Sequence, residues 1–460
     1  MAAYIDYRHP AYNTFSDEWQ LVTDCVDGER AVKAAREKYL PHPSDNATSE
    51  DPVGERYKNY LARAPFLNAT GRSLNGLIGI AFDKPVTVTI SGFSGYDLEA
   101  DADGEGQPLT QLIRDALSQN LQRGRAGLLA DYTGHGEQTE ATRGRPVIRL
   151  YTAKQIINWR VTDGKTSLVV IEYEEPVKSD GFELEMKTKW KELRLIDDLA
   201  HAREWWKEGN EFISSDWIIL TDAKGNKLTE LPWSWIGANN NDHTPDTPPL
   251  ADLAYMNIKH YHIEADIAES SHLVGQPMIF VSGLTTQWVK EYMSDGINVG
   301  SRKAILLPQG GEMNFAQTDE RSLQITVAER REKQMAMLGA KLVERNTSAR
   351  TATQASDEAQ TDNSVLSLCA GNVEQAFNRA IQFCVQFAGA GEASVELNKR
   401  YEIAQLDSAS ITALLGAVQS GKMRLTDFVA YLQKIGVVSE EQDPEEIADE
   451  LGNQEPELLE

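Results

Sequence analysis

Residues 60–85 read YLARAPFLNATGRSLNGLIGIAFDKP, and their pattern predicts a helix from 66 to 82. A proline bounds the segment on each side, and apolar side chains recur between them at steps of three and four residues. Gly71, Gly76 and Gly79 nevertheless lie inside it, although each costs about 1 kcal/mol of helix propensity relative to alanine. Because glycine lets another backbone approach closely, we expect tight packing, either inside the chain's own core or against a neighbouring subunit.

Length and cysteine usage limit the class of protein. The 460 residues can bury a large core and divide into two to four folding units. Cys25, Cys369 and Cys384 form no CxxC pair, which favours a reducing compartment over a disulfide framework or a structural zinc site. The sequence has no run near the ~20 apolar residues that cross a bilayer, and its first ten residues do not resemble a signal peptide. These features predict a soluble protein made in the cytoplasm.

The charge balance is strongly acidic, with 70 acidic and 45 basic residues and a net charge of −25. Proteins that grip nucleic acid neutralise phosphates and are usually basic, so this balance argues against tight DNA binding. It is compatible with a protein that DNA slides past without being held. Residues 439–460 contain ten acids and no lysine or arginine, which predicts a solvated chain end or a segment that binds a partner or repels DNA.

The hydrophobic period changes along the chain and divides it into three parts. Helices are predicted near 16–38, 66–82 and 108–123. Residues 146–232 contain short apolar or alternating runs separated by turn pairs such as Asp163-Gly164, which predicts an antiparallel meander. After 248, helices are predicted at 250–273, 320–338, 352–388, 408–419 and 424–435, with a mixed piece at 276–317 and a strand at 393–403. The prediction is an α+β fold.

The chain contains only incomplete catalytic motifs. DGKT at 163–166 ends like a nucleotide-binding loop but lacks its first glycine, and a hairpin turn explains it better. DADGEG at 101–106 begins like a calcium loop, but its twelfth position is Leu112 instead of glutamate. His260 and His262 lie two apart on a predicted helix and point to different faces. We therefore predict no catalytic residue, no cofactor and no metal site, and an enzyme dependent on a metal or a nucleotide is the weaker hypothesis.

Several segments in a fixed order resemble one phage family. They are YLARAPF at 60–66 with the Asn68, Thr70, Leu74, Gly76 and Gly79 that follow it, GRAGLLAD at 124–131, IINWR at 156–160, PPLADLAYMNIKHYHIEAD at 248–266 and QMAMLGAKL at 334–342. The family that they resemble is catalogued as a domain of unknown function and is treated as portal-like. The resemblance covers roughly residues 15 to 390.

This resemblance implies a tailed-phage portal protein. Such proteins form a ring, usually of twelve subunits, at one capsid vertex, through which double-stranded DNA enters during packaging and leaves during infection. The portal-like fold has an α/β wing, two stem helices flanking a small clip, a tunnel loop with a long helix, and a helical crown. The implied order is a wing at 1–247 (N-terminal helices and an antiparallel sheet), a first stem helix at 248–274, a clip at 275–318, a second stem helix at 319–339, a tunnel loop at 340–355, a long helix and wing return at 356–405, and a crown with the acidic tail at 406–460.

Local charge suggests where this ring would meet DNA. Residues 321–350 contain seven bases and three acids, a local net charge of +4 in an acidic chain. In the implied tunnel loop, Lys341, Arg345, Asn346 and Arg350 are the candidates for contact with passing phosphates. Several bases of this region could instead form ordinary pairs on a helix surface.

Two further surfaces are implied by the same resemblance. In the clip, Trp288, Tyr292 and Arg302 are candidates for terminase docking, with burial within the clip or between adjacent clips as the alternative for the aromatics. The helix that contains the three glycines is the candidate for packing between subunits around a closed axis.

The predicted partners follow from these assignments. They are further copies of the chain in a homo-oligomer (expected to be a dodecamer), the large subunit of the terminase, a head-tail adaptor, a capsid or scaffolding protein and transient, sequence-independent double-stranded DNA, with no membrane. The expected location is the portal vertex of the virion, with the host cytoplasm during assembly. Another ring-forming head-completion or adaptor protein is the alternative function.

Overall fold

The chain forms two units, Met1–Lys399 and Arg400–Glu460. A computed structural model describes residues 4–44, 51, 53–92, 97–133, 144–177, 184–274, 278–283, 285–292, 309–316, 322–343, 364–389, 391–399, 401, 418 and 424–434. In the described part of the second unit, a helix spans Leu425–Lys434, close to the prediction. The acidic tail and most of the helix predicted at 408–419 lie outside the described residues.

The first unit is mixed α+β, as predicted. Its helices are α1 (Pro10–Asp27), α2 (Glu29–Ala34), α3 (Glu55–Arg63), α4 (Ala69–Ala81), α5 (Leu109–Arg123), α6 (Ala251–Val274), α7 (Thr286–Tyr292), α8 (Ser322–Lys341) and α9 (Val365–Ala388). Its strands are β1 (Thr87–Ser91), β2 (Arg125–Thr133), β3 (Arg145–Thr152), β4 (Ile156–Thr162), β5 (Lys165–Val177), β6 (Glu185–Ile196), β7 (Leu199–Glu208), β8 (Glu211–Ser214), β9 (Ile218–Ile219), β10 (Trp233–Gly237), β11 (Met278–Ser282), β12 (Glu312–Ala316) and β13 (Glu392–Glu396). Among the residues described, no helix is both long enough and apolar enough to span a bilayer.

The helix predicted at 66–82 is shorter, because Asn68 caps it. The Asn68 side chain accepts a hydrogen bond from the amide of Gly71 at 2.8 Å, and helix α4 begins at the next residue, Ala69. Two neighbouring predictions were also wrong. The helix predicted at 16–38 is interrupted at Gly28, which has a φ of 86°, and α3 occupies residues for which no helix was predicted.

The strands form separate antiparallel sheets. The largest has the order β4-β5-β6-β7-β8, with β9 also paired to β7, which confirms the predicted meander for this part. The first run assigned to the meander is wrong, because β3 pairs with β2 in a three-stranded sheet of order β10-β2-β3. Two shorter pairs, β1 with β13 and β11 with β12, complete the described sheets.

The long helix α9 forms the centre of the core. It packs against α5, β2, β3, β10 and β13, and it begins at Val365, later than predicted, because Ser364 caps it. The apolar side chains of this helix are buried from Cys369 to Phe387, whereas Val365 and Leu368 near its first turn are exposed. Each fully buried Leu, Ile or Phe side chain contributes roughly 1.5–3 kcal/mol, so these side chains stabilise the whole unit.

Candidate interaction surfaces

Helices α6 and α8 flank a small antiparallel pair of strands. They pack against each other, and β11 and β12 between them pair in register from Met278 with Ala316 to Ser282 with Glu312. A side-chain contact also joins the helices, since Arg331 Nη1 lies 3.2 Å from Met256 Sδ. The chain therefore contains a helix, a strand pair and a second helix in the order predicted from the sequence.

The ends of the two long helices that follow each other in sequence are joined directly. The amide of Leu366, in the first turn of α9, donates to the carbonyl of Leu342, just after α8, at 3.1 Å. The chain thus leaves this point after Val343 and returns to it at Ser364. Residues 344–363 between them lie outside the described residues.

Lys341 was expected in a loop, but it is the last residue of α8. The helix continues past its predicted end at 338 and through Gly339. A Cβ on Gly339 would lie 3.2 Å from Ser73 Oγ, so glycine fits α8 closely beside α4. The Lys341 side chain is exposed and, within the described part of the chain, has no ion-pair partner. Arg345, Asn346 and Arg350 lie outside the described residues.

The face of α8 that points away from α6 combines charged and apolar side chains. Glu329 and Lys333 are both exposed and lie four residues apart, but they do not form one of the ion pairs of the described residues. Leu323 is 75% exposed, and Ile325 and Met337 are each 52% exposed. These large apolar side chains, exposed near the two ends of α8, are ones that another element could cover.

The glycines of α4 divide into two groups. A Cβ on Gly71 would lie 2.6 Å from the carbonyl oxygen of Val26, so this glycine allows α1 to approach α4 inside the chain's own core. Gly76 and Gly79 are exposed and have open space where a Cβ would be. Packing within the subunit thus explains the glycine at position 71 but not those at 76 and 79.

Asn257 on α6 explains part of the motif around α4, and sequence reasoning missed it. It is fully buried, and its Oδ1 accepts hydrogen bonds from both the amide and the hydroxyl of Thr70, at 3.1 and 2.9 Å. Its Nδ2 donates to the carbonyl of Leu67 at 2.8 Å. The only signal in the sequence was that the segments containing Thr70 and Asn257 both belong to the resemblance to the phage family.

The clip candidates lie on and around α7. Trp288 is half-buried and Lys290 beside it is exposed. Tyr292 is the last residue of α7, and its side chain is outside the described part, as is Arg302. Of these three side chains, the described part of the chain includes only that of Trp288.

The histidines of α6 contact protein groups. His262 Nε2 lies 2.6 Å from the carbonyl oxygen of Tyr39. His260 is buried, with Nε2 3.7 Å from Glu264 and 3.6 Å from Glu332 of α8. Within the described residues, no group of three or more His, Cys, Asp or Glu side chains has a geometry that could hold a metal ion.

The two loops that resembled ligand sites are filled by their own chain. Both Asp101 and Asp103 accept backbone amides of the same loop, and Arg145 donates to Asp101 at 2.5 Å and to the carbonyl of Gly104. The guanidinium of Arg145 thus binds the Asp101 carboxylate, which a calcium ion would need as a ligand. The DGKT segment is the β4–β5 hairpin turn, with Asp163 and its neighbouring glycine both at positive φ.

The cysteines are buried free thiols. Burial raises the pKa of Cys25 and of Cys369 to about 12 each, and raises the pKa of Cys384 as well. They are therefore protonated at neutral pH and weakly nucleophilic.

The comparisons with known proteins give one family match. The family described as a domain of unknown function (DUF4055) matches residues 249–388, less than a third of the chain. This range contains α6 through α9, whereas the resembling segments before it lie outside the match. No curated protein matches.

Solved structures of low similarity were also found. One is described as the neck of an empty GTA particle computed with C6 symmetry (13% identity, 82% of this chain and 92% of the other, TM-score 0.37). Another is described as the virion of a native gene transfer agent particle (12% identity, 88% and 98%, TM-score 0.38). At this level of likeness, neither provides a basis for transferring a function.

Proposed function

We propose that this chain is a structural component of a tailed-phage-like particle and, more specifically, its portal protein: a ring at one capsid vertex through which double-stranded DNA passes. The observation that carries the proposal is the arrangement of α6, the β11–β12 pair and α8, followed by the hydrogen bond that joins the ends of α8 and α9. This arrangement agrees with the order of stem, clip, stem and long helix that the sequence resemblance implies.

In this proposal the helices up to α5 and the strands β1–β10 form the wing, the β11–β12 pair belongs to the clip, and α6 and α8 form the stem. The tunnel loop expected at 340–355 would start later than the sequence alone suggested, because Lys341 belongs to α8. Lys341 then precedes the loop that contains Arg345 and Arg350. Their contacts with DNA would be to phosphates only, indifferent to base sequence and weakened by salt.

Assembly would use the surfaces that the isolated chain leaves exposed. Gly76 and Gly79 would let a neighbouring backbone approach α4, and the apolar side chains on the outer face of α8 would be covered by the next subunit.

The ring itself would act as a passive channel. Packaging would depend on a separate ATP-driven motor, the terminase, docking at the clip near Trp288, and the same vertex would bind a head-tail adaptor. The net charge of −25 would keep DNA from adhering to the protein as it moves.

A bulky substitution on the exposed glycine face tests this assignment. Gly79→Trp leaves the fold of the subunit unchanged, since that position faces open space, but it should reduce ring assembly by at least about tenfold, measured by sedimentation velocity. Lys165→Trp, at an exposed hairpin turn, is the matched control and should assemble like the wild type. If both variants assemble equally well, α4 is not part of the subunit interface.

A further inference from the structure

Residues 4–9, which we call the strap, lie against the six-stranded sheet before α1 begins. The ring of Tyr4 stacks on Phe212 of β8, with 5.7 Å between ring centroids. Arg8 pairs with Glu172 of β5 at 3.3 Å. The contacts of the strap therefore extend from strand β8 at one side of the sheet towards β4 at the other.

His9 holds the end of the strap by three interactions, two with β4 and one with α1. Its amide donates to the carbonyl of Ile157 at 2.9 Å, and its ring stacks on Trp159 with centroids 4.0 Å apart. Its Nδ1 accepts a hydrogen bond from the amide of Ala11 at 3.1 Å and so caps α1. This bond requires an unprotonated Nδ1, so the neutral ring carries its hydrogen on Nε2.

A buried cation lies on Trp159 as well. The guanidinium of Arg125 is 1% exposed and lies between Trp159 and Trp235, 4.1 Å from the centroid of each. Its Nη1 donates to the carbonyl of His243 at 2.7 Å. Trp159 therefore contacts both His9 and a cation that is held in place by the segment leading into α6.

The cap on α1 and the charged groups near the ring oppose a proton on His9. It would have to bind Nδ1, which would break the cap on α1. The groups that face the ring from other elements are Arg125 of β2 and His243, both bases, while Glu172 is already paired with Arg8. Accordingly, burial and then these two bases lower the pKa of His9 from its usual 6.5.

We propose that residues 4–9 form an acid-released strap: it lies across the six-stranded sheet while His9 is neutral, and protonation of His9 detaches it from β4 and opens that side of the sheet. The released strap places the charged imidazole in water, where it has no opposing cation and no cap to lose. This inference concerns one subunit and is independent of the proposed function.

The direction of the pH dependence follows from proton uptake. Because the docked strap binds the proton more weakly than the free strap, docking is fully favourable above about pH 6.5 and weakens as the pH falls through the lowered pKa of the docked state. Between the two pKa values, the docking equilibrium constant falls by up to about tenfold per pH unit.

A spin label on the strap measures release directly. Tyr7→Cys offers an exposed thiol, whereas the three natural cysteines are buried, so labelling of the folded, full-length protein is confined to position 7. We expect the label to become markedly more mobile by electron paramagnetic resonance between about pH 7.5 and about pH 5, with far-UV circular dichroism unchanged.

Two variants make the test specific. His9→Asn keeps a side-chain oxygen that can cap α1 but cannot titrate, so its label should stay immobile over the whole range. His201→Asn, on β7 of the same sheet, should release like the wild type. The proposal is overturned if the wild-type label stays immobile at about pH 5, or if His9→Asn releases at the same pH as the wild type.

Discussion

At the scale of single residues, the buried amide of Asn257 joins α6 to the start of α4. Asn257→Ala leaves the amide and hydroxyl of Thr70 and the carbonyl of Leu67 without their partner, so we expect a loss of about 2–4 kcal/mol in the free energy of unfolding. Urea titration followed by circular dichroism measures this. Asn75→Ala, on the exposed face of α4, is the control and should change it by less than about 0.5 kcal/mol. Equal effects would mean that the amide network does not support the helix.

Replacing a glycine of α4 by alanine should change the stability of the subunit in opposite directions at Gly71 and at Gly76. Gly71→Ala brings a Cβ against the carbonyl of Val26 and should destabilise the subunit by more than about 1 kcal/mol. Gly76→Ala meets open space and removes the propensity cost of glycine, so it should stabilise the isolated subunit by about 0.5–1 kcal/mol. Thermal unfolding of the two variants under conditions that keep the subunit monomeric compares them, and a shift of the same sign in both would contradict the division into buried and exposed glycines.

At the scale of elements, helix α8 has one face against α6 and one face open. Met335 is 3% exposed, so Met335→Ala should lower the free energy of unfolding of the monomer by about 2–4 kcal/mol. Met337→Ala, two residues away on the exposed face, should leave that value within about 0.5 kcal/mol and weaken assembly instead. Chemical unfolding and sedimentation velocity on both variants separate these effects. If Met337→Ala destabilises the monomer as strongly as Met335→Ala, the outer face of α8 is not open.

The elements that could be predicted from the sequence are those in which apolar residues recur at a regular spacing over a long stretch. The helices α5, α6 and α8 and the hairpins of the largest sheet agree closely with their predicted positions, because their apolar spacing and turn residues are local signals. Ends set by a single contact were predicted less well. Gly339 lies inside α8 and not at its end, and Gly28 ends α1 through a backbone conformation that no apolar pattern records.

The pairing of strands and the interaction surfaces were less predictable. The run that forms β3 reads like the strands after it, and only the location of β2 in space assigns it to another sheet. Asn257 and Arg125 act through partners more than a hundred residues away, so spacing along the chain could not reveal them. The tunnel loop was predicted only through the resemblance, and of its named residues Lys341 proved to lie in α8.

At the scale of the whole molecule, the proposed ring brings these surfaces together. Exposed glycines on α4 and exposed apolar side chains on α8 are unfavourable in a solitary subunit and are explained when another copy covers them. The local excess of basic residues around Lys341 in an otherwise acidic chain is explained if that region lines a channel for DNA.

The mass and projected shape of the purified, full-length protein test this central claim most directly. Mass photometry followed by negative-stain imaging should find closed rings of about twelve subunits with a central hole. A uniform monomer or dimer at every protein and salt concentration tried would contradict the portal assignment.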